Sequence, residues 1–312
     1  MTDTATSLRT ERQTDLQADT VTLESLLRSS TELLTAAGVD SPRADAELLA
    51  AHVLGASRGE VAAWAIAGRE LNPLQAVDLR RLSISRATRT PLQYLTGTTT
   101  FRSVELQVGQ GVFLPRPETE LVAGAAIDAA RAAQDRNGVD PLVVDLCTGS
   151  GAIAAAVAAE VPGATVHAVE ADPEAAWWAA ANLTPRGVAL HVGDAATALP
   201  ELDGRTDVVV SNPPYVPDGR IPTQAEARRD PGLALYGGGS DGMRLPTVVA
   251  ATAARLLHPG GILVMEHDDT QGELVADLLR RDGLFSGIRT QQDLNGRPRY
   301  TIAARTDGTM AP

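Results

Sequence analysis

The segment DVVVSNPPYVP, residues 207–217, runs from β-branched apolar residues into an asparagine, two prolines and a tyrosine. Asp207 to Val210 predict a buried strand by composition and length. Proline fixes φ and has no N–H to donate, so a sheet ladder cannot continue past Ser211. The residue before each proline is pushed toward extended geometry, which restricts both Asn212 and Pro213. The expected product is a stiff arch at a strand's carboxyl end, carrying one side-chain amide and carbonyls without ladder partners. That arch suits a planar nitrogen conjugated to a carbonyl or a ring, a poor nucleophile because its lone pair is delocalised. The Asn212 side-chain carbonyl and the Pro213 backbone carbonyl can accept both of its hydrogens and raise its electron density in a third direction. An electrophilic methyl placed there would be set for in-line transfer. The prolines preorganise the acceptors, so little reorganisation is needed. Tyr215 can cover the planar group by stacking, and Val216 can close the wall. No strong base is required, because the proton becomes acidic only as the nitrogen is alkylated. Asn-Pro and Pro-Pro also mark plain loops, but the position after a fourth strand weighs against a mere turn.

A second cluster lies upstream. DLCTGSGAIAAAVA, residues 145–158, follows a first strand and opens a helix. Its glycines permit tight turning and close backbone approach, and a helix N-terminus can hold an anionic group. The loop does not match GxGxxG well, and alone it is a weak signal beside an ordinary strand-to-helix turn. Glu170 ends the second strand about 20 residues after the glycines, where an acid can bind ribose hydroxyls. Asp194 follows the third strand in HVGDAA. Either acid alone reads as a solvated turn residue or a helix cap. Together they suggest an adenosine-containing cofactor, since ligands of open α/β sheets bind outside the strands' carboxyl ends.

The elements that must position these residues follow from the pattern. From Leu142 the strands LVVDL, TVHAVEA, VALHV, DVVVS and GILVMEH alternate with helical segments after the first, second and fourth. This predicts a parallel, doubly wound sheet covered by helices on both faces. SGIRTQQDLNGRPRYTIAA reads as a closing antiparallel hairpin. Trp177 and Trp178, on a helical segment, are expected to pack between helix and sheet. Upstream, Leu23, Leu26, Leu27, Leu33 and Leu34 recur at helix spacing, and Ser41-Pro42 reads as an N-cap followed by proline at the first helical position. Similar patterns cover 44–54, 59–65 and 73–86, a small helical bundle. Residues 98–114 alternate and contain glycines, a short hairpin; Pro117 then opens a helix to about Ala133. The expected division is a disordered N-terminus (1–20), a helical domain (21–96), a linking hairpin (97–114), the α/β domain (115–305) and a flexible tail (306–312).

Composition narrows the partners. The 312-residue chain is 44% apolar and 21% charged, an ordinary globular balance. A net charge of -12, with no lysine, argues against holding nucleic acid by phosphate attraction. No apolar run approaches a membrane span, and MTDTATSLRTERQ lacks a signal-peptide layout. The single cysteine, Cys147, excludes an internal disulfide, suits a reducing cytoplasm and reads as a packing residue rather than a nucleophile. The histidines at 52, 167, 191, 258 and 267 lack ligand spacing, so no metal is expected. The arginines at 80, 81, 86, 89 and 102 read as a solvated face, with partner docking the minority reading.

Joined together, these blocks resemble class I S-adenosylmethionine-dependent methyltransferases, and more closely the HemK/PrmC family of release factor glutamine methyltransferases. The resemblance spans about residues 22–304. It rests on RTPLQYLTG (89–97), FLPRPETELV (113–122), DLCTGSGAIA, Glu170, the GD at 193–194, SNPPYVP, DPGLALYGGGSDG (230–242), LLHPGGILVMEHDDTQ and DLNGRPR. It implies a Rossmann-like, mostly parallel sheet with helices on both faces, plus a small N-terminal helical bundle joined by a β-hairpin. The implied reaction moves a methyl group from S-adenosylmethionine to the side-chain amide nitrogen of the glutamine in the Gly-Gly-Gln motif of peptide chain release factors, leaving S-adenosylhomocysteine. Carried onto this chain, Thr148, Gly149, Ser150 and Gly151 would cradle the methionine part, with Asp145 beside them and Cys147 contributing backbone. Glu170 would hold the ribose, and Asp194 with Ala195 would border the adenine. Asn212, Pro213 and Tyr215 would be catalytic, and Asn212, Pro213, Pro214, Tyr215 and Val216 would bind the glutamine. Asn212 would also touch the cofactor. Phe101, on the substrate side, and Arg116 and Glu118, on the cofactor side, would line the site where the upstream segment folds over it. The helical domain would give a second contact to the release factor. The implied protein is a cytoplasmic monomer without stable nucleic-acid or membrane binding. Two departures stand out: glutamate at 170 where aspartate is usual, and EHDDTQ in place of an EHG pattern, which predicts a differently built loop at Asp268. NPPY is shared with adenine-amino methyltransferases, and a ribosomal-protein glutamine enzyme is a nearer rival; a cofactor-binding adaptor without catalysis is the reading from another class.

Overall fold

The structure, a computed structural model, describes residues 21–221, 225–281 and 283–308. The expected disordered N-terminus (1–20) and residues 309–312 of the expected tail lie outside the described residues. The chain divides into two compact units, Met1–Thr96 and Gly97–Pro312.

In the first unit β1 (Val21–Thr22) and β2 (Glu70–Leu71) pair antiparallel around the helices α1 (Leu23–Ala36), α2 (Pro42–Leu54), α3 (Arg58–Ile66), α4 (Pro73–Ala87) and α5 (Leu92–Thr96). Local chemistry sets the ends of these helices. Ser57 with Glu60, and Asn72 with Gln75, form reciprocal capping boxes, and Pro42 and Pro73 sit in first turns where their missing N–H costs nothing. Leu23, Leu27, Leu34, Leu49, Val61 and Leu79 form a core of the unit's own. Arg86 does not belong to a solvated face: it is buried, and its Nε donates to Asp45 Oδ2 at 2.7 Å.

The second unit opens with a hairpin, β3 (Thr98–Phe101) and β4 (Val104–Gln107), turned by Arg102 at φ 50°. Arg102 is equally unlike a solvated arginine, since its guanidinium pairs with both oxygens of Glu160. Next come α6 (Thr119–Asn137), β5 (Leu142–Leu146), α7 (Ala152–Glu160), β6 (Thr165–Glu170), α8 (Pro173–Leu183), β7 (Ala189–Val192) and β8 (Thr206–Ser211). The unit closes with α9 (Gly232–Leu235), α10 (Arg244–Leu256), β9 (Leu257–Glu266), α11 (Gly272–Arg281), β10 (Phe285–Gln292) and β11 (Pro298–Arg305). The strands form one sheet in the order β10-β11-β9-β8-β5-β6-β7, with β9, β8, β5, β6 and β7 parallel and β11 and β10 antiparallel.

Two-sided burial explains the apolar runs. Val144, Val209 and Leu263 join Val249, Ala253 and Val275 of α10 and α11 in one core. Their neighbours along the strands, Val143, Val208, Val210 and Val264, are equally inaccessible and point to the other face by the pleat. On that face α6 packs on β8 and β9 and on α7, which in turn packs on α8. The chain steps from β5 outward to β6 and β7, then returns to lay β8 on β5's other side. The switch point therefore lies between β5 and β8, and ligand sites collect there. α6 starts at Thr119 rather than Pro117 and runs to Asn137, while β9 begins at Leu257, ahead of the expected GILVMEH.

The tryptophans differ from expectation. Trp177 is 64% exposed, and Trp178 stands over Gly109 and donates its Nε1–H to the Gln110 carbonyl at 3.2 Å. Trp178 thereby holds the segment after β4, with Trp177 set edge-on against it. Among the described residues no helix is long and apolar enough to cross a membrane, and no group of three or more His, Cys, Asp or Glu side chains could hold a metal ion.

Candidate active site

The carboxyl ends of β5, β6, β7 and β8 open into a cavity of about 550 Å³. Its walls bring together Cys147, Thr148, Gly149, Ser150, Glu170, Asp194, Ala195, Asn212, Pro213, Pro214, Tyr215 and Val216. These residues come from four separate stretches of chain.

The β5 end is a tight loop. Cys147 adopts φ 60°, Gly149 φ 57° and Gly151 φ 85°, a left-handed run that turns the strand into α7. A Cβ on Gly149 would meet nothing within 4 Å, whereas one on Gly151 would strike Leu183 of α8 at 2.8 Å. Gly149 thus leaves room beside the loop, and Gly151 permits helix–helix contact. Beneath the loop, Asp145 Oδ2 accepts from Thr148 Oγ1 and from the Ala154 N–H at 3.1 Å. Burial pushes Asp145 up to about 7, against those two hydrogen bonds and with the Glu170 charge. Burial, with Glu170 and Asp145 adding to it, pushes the Cys147 thiol up to about 12, so no thiolate nucleophile forms.

Glu170 reaches across from β6. Its Oε2 accepts from the Gly149 N–H at 2.8 Å and its Oε1 from the Asp172 N–H at 2.9 Å. Each oxygen keeps a lone-pair site, and the pair forms a fork suited to a vicinal diol. Burial raises its pKa, opposed by those backbone donors. Asp194 Oδ1 accepts from the Ala196 N–H at 2.9 Å, which folds the β7 end around the cavity. Apolar Ile153, Val169 and Ala175 line the space between, a surface fit for an aromatic ring. Two carboxylate-bearing strand ends, an open glycine and an apolar slot together fit a cationic adenosyl cofactor.

The arch closes the other end. Ser211 Oγ donates to the Leu146 carbonyl at 2.7 Å, fastening β8's end to β5. Asn212 Nδ2 donates to Thr119 Oγ1 at 3.3 Å, which leaves Oδ1 as the free pole of the amide. Among the described residues the Pro213 carbonyl takes no hydrogen bond. Its neighbours are satisfied: the Tyr215 carbonyl accepts from Gln271 Nε2 at 2.8 Å, and the Val216 carbonyl accepts from the Gly237 N–H at 3.0 Å. The Tyr215 hydroxyl donates to Glu266 Oε1 at 3.2 Å. Burial, then the Glu266 charge, hold this phenol far above its ordinary pKa, so it stays a neutral donor. Burial pushes Glu266 up to about 7, against the Thr119 and Tyr215 hydroxyls and the Arg299 charge.

Five expected residues do not line the cavity. Phe101 is only 1% exposed, enclosed where β3 turns into β4. Asp145 lies under the loop it braces, and Gly151 faces α8. Arg116 pairs with Asp230 at 2.5 Å and lies over the Phe113 ring, and Glu118 is the N-cap of α6. The wall holds residues the sequence reading missed. Phe113, Pro115 and Thr119 belong to FLPRPETELV, and Pro231, Leu233, Leu235 and Tyr236 to DPGLALYGGGSDG. Both blocks were visible as blocks, but nothing local showed which of their side chains turn inward. The loop at Asp268 is held by its own side chains. Asp268 Oδ1 accepts from Thr270 N and Oγ1, and Gln271 then reaches back to the arch.

Known proteins resemble this chain over most of its length. Residues 25–97 match the PrmC N-terminal domain family, and residues 130–228 the methyltransferase small domain family. A release factor glutamine methyltransferase of Streptomyces coelicolor is 48% identical over 88% of this chain and 95% of its own length. One of Bifidobacterium longum is 44% identical over 89% of this chain and 98% of its own. A 4-amino-L-phenylalanine/4-methylamino-L-phenylalanine methyltransferase of Streptomyces pristinaespiralis is 38% identical over 88% and 92%. With the glycine loop, the acidic strand ends and the proline arch around one cavity, and with such identity across both units, the chain belongs to the release factor glutamine methyltransferase family.

Proposed function

We propose that this chain methylates the side-chain amide nitrogen of the glutamine in the Gly-Gly-Gln motif of peptide chain release factors, with S-adenosylmethionine as the methyl donor. The observation that carries the reading is the placement of two unengaged acceptors, Asn212 Oδ1 and the Pro213 carbonyl, in the wall shared with the Glu170 fork.

When bound, the cofactor supplies an electrophilic methyl on a sulfonium. Glu170 would accept the ribose hydroxyls, residues 147–150 would border the amino-acid portion, and Asp194 with Ala195 would flank the base. The carboxylates at this end complement a cation and favour it over its uncharged product. At the arch, Asn212 Oδ1 and the Pro213 carbonyl each accept one hydrogen of the glutamine NH₂. The lone pair then has one direction left, toward the cofactor end. Tyr215 and Pro214 hold the plane of the amide, and Val216 closes the wall beside it. As the nitrogen is alkylated its proton acidifies and leaves to solvent, so no side chain must act as a strong base. The helical unit supplies a separate docking contact for the release factor. The reading carries with it a cytoplasmic monomer.

The test offers labelled methyl donor with a release factor, the same factor lacking the motif glutamine, ribosomal protein, DNA and free 4-aminophenylalanine. Label is expected on the motif glutamine alone. The arylamine is included because a relative is named for that substrate. Transfer to it in preference to the release factor would overturn the reading.

A further inference from the structure

The amide of Asn212 serves the proposed reaction only one way round. With Oδ1 toward the cavity it accepts from the glutamine NH₂; flipped, it opposes NH₂ with NH₂ and repels the substrate. Asparagine itself does not choose between these orientations, so a neighbour must. The neighbour is Thr119, which is buried in the first turn of α6 and lines the cavity. Its Oγ1 receives the Asn212 Nδ2 hydrogen at 3.3 Å.

A hydroxyl has one proton and two lone pairs. If Thr119 donated its proton to asparagine, the amide would be held in the flipped state. Behind Thr119 stands Glu266, whose carboxylate the hydroxyl faces across the packing of α6 on β9. Glu266 lies at the end of β9, only 2% exposed. Its Oε1 already accepts from Tyr215, and its Oε2 is buried with no hydrogen bond. An unfilled buried acceptor beside a hydroxyl with a proton to give is a strong orienting arrangement.

We infer that Glu266 and Thr119 are positioning residues of the methyl transfer: Glu266 draws the Thr119 proton away from Asn212 and thereby fixes the amide with its oxygen toward the substrate. The same carboxylate anchors Tyr215, so one buried acid orients both polar side chains of the arch. This assigns a role to the threonine of PRPETE and to the glutamate of VMEH, and it rests on the reading of the arch given above.

The experiment uses the full chain carrying ¹⁵N-asparagine, with the Asn212 side-chain resonance identified by its loss in Asn212→Asp. Thr119→Val keeps the shape and removes the hydroxyl; Thr119→Ser restores it. Thr119→Val and Glu266→Gln are expected to move the Asn212 amide resonance. Thr119→Val should lower kcat/KM for the release factor by about 10–100-fold with cofactor affinity unchanged, as for one misdirected hydrogen bond. Thr119→Ser should recover most of the rate. An unmoved resonance in Thr119→Val, a wild-type rate, or cofactor affinity falling in step with activity would each overturn the assignment. The resonance is read without any acceptor, so a wrong acceptor shows separately, as a wild type that leaves the release factor unlabelled.

Discussion

At the scale of single residues, the site separates groups that touch the reactants from groups that hold them. On the proposed reading Asn212 is of the first kind. Asn212→Ala removes one of two fixed acceptors for charge that develops on the nitrogen, and such losses cost about 10²–10³-fold in rate. Steady-state kinetics on the release factor should show that fall with cofactor affinity little changed; a variant as fast as the wild type would exclude the arch from the chemistry. Asp145 is of the second kind, and its burial makes a separate prediction about stability. Burial raises its folded-state pKa to about 7, above its ordinary 3.8. The folded chain therefore binds this proton more tightly than the unfolded chain does. The resulting stabilisation is complete below about pH 4 and is lost as pH rises through 7. Glu24, Glu47 and Glu160 are shifted downward, the first and last chiefly by Arg43 and Arg102, Glu47 by its arginine partners against its own burial, and they act in the opposite sense. The difference between wild type and Asp145→Asn isolates the one group. In denaturant melts the variant should gain on the wild type between pH 5 and pH 8, and a pH-independent difference would refute the assignment.

Elements explain how four stretches of chain converge, and what of this the sequence could reveal. The runs of β5 and β8 were legible because a strand buried on both faces needs no alternation, and the stop after Ser211 was legible because proline cannot donate. The acids at 170 and 194 were legible as strand ends. Contacts between distant segments were not. Asn212 meets Thr119 across 93 positions, and Gln271 meets the Tyr215 carbonyl across 56, and no local period encodes such a meeting. Trp177 was misplaced for a related reason: an apolar residue on a helix gives no sign of whether a neighbouring segment will cover it. The stretch after the arch shows how tightly such meetings are built. It returns beneath the arch, pairing Val216 with Tyr236, and a Cβ on Gly237 would lie 2.1 Å from the Gly242 carbonyl and 2.7 Å from that of Pro214. All of these obstacles are backbone, so the alanine of Gly237→Ala must push the arch itself. A displacement of about 1 Å at a reacting group can cost roughly 10²-fold in rate. Gly237→Ala should therefore bind cofactor normally in calorimetry while losing transfer to that extent; normal turnover would show that the arch tolerates movement.

At the scale of the molecule, the proposed reading divides the work of recognition between the two units. Among the described residues, those that line the cavity fall between Phe113 and Leu245, inside the second unit. The first unit has a leucine core of its own. The cofactor pocket needs only what the sheet and its loops supply, whereas a protein substrate offers a surface much larger than one glutamine. A chain beginning at Gly97 should accordingly bind S-adenosylmethionine with the affinity of the full chain. Its KM for the release factor should rise by roughly tenfold or more, the consequence of losing about 1.4 kcal/mol of docking contact. Its turnover of a short peptide containing Gly-Gly-Gln should match that of the full chain, because such a peptide meets only the arch. An unchanged KM for the intact release factor would remove the helical unit from substrate recognition. Lost cofactor binding in a chain that still melts cooperatively would mean that the pocket depends on the helical unit.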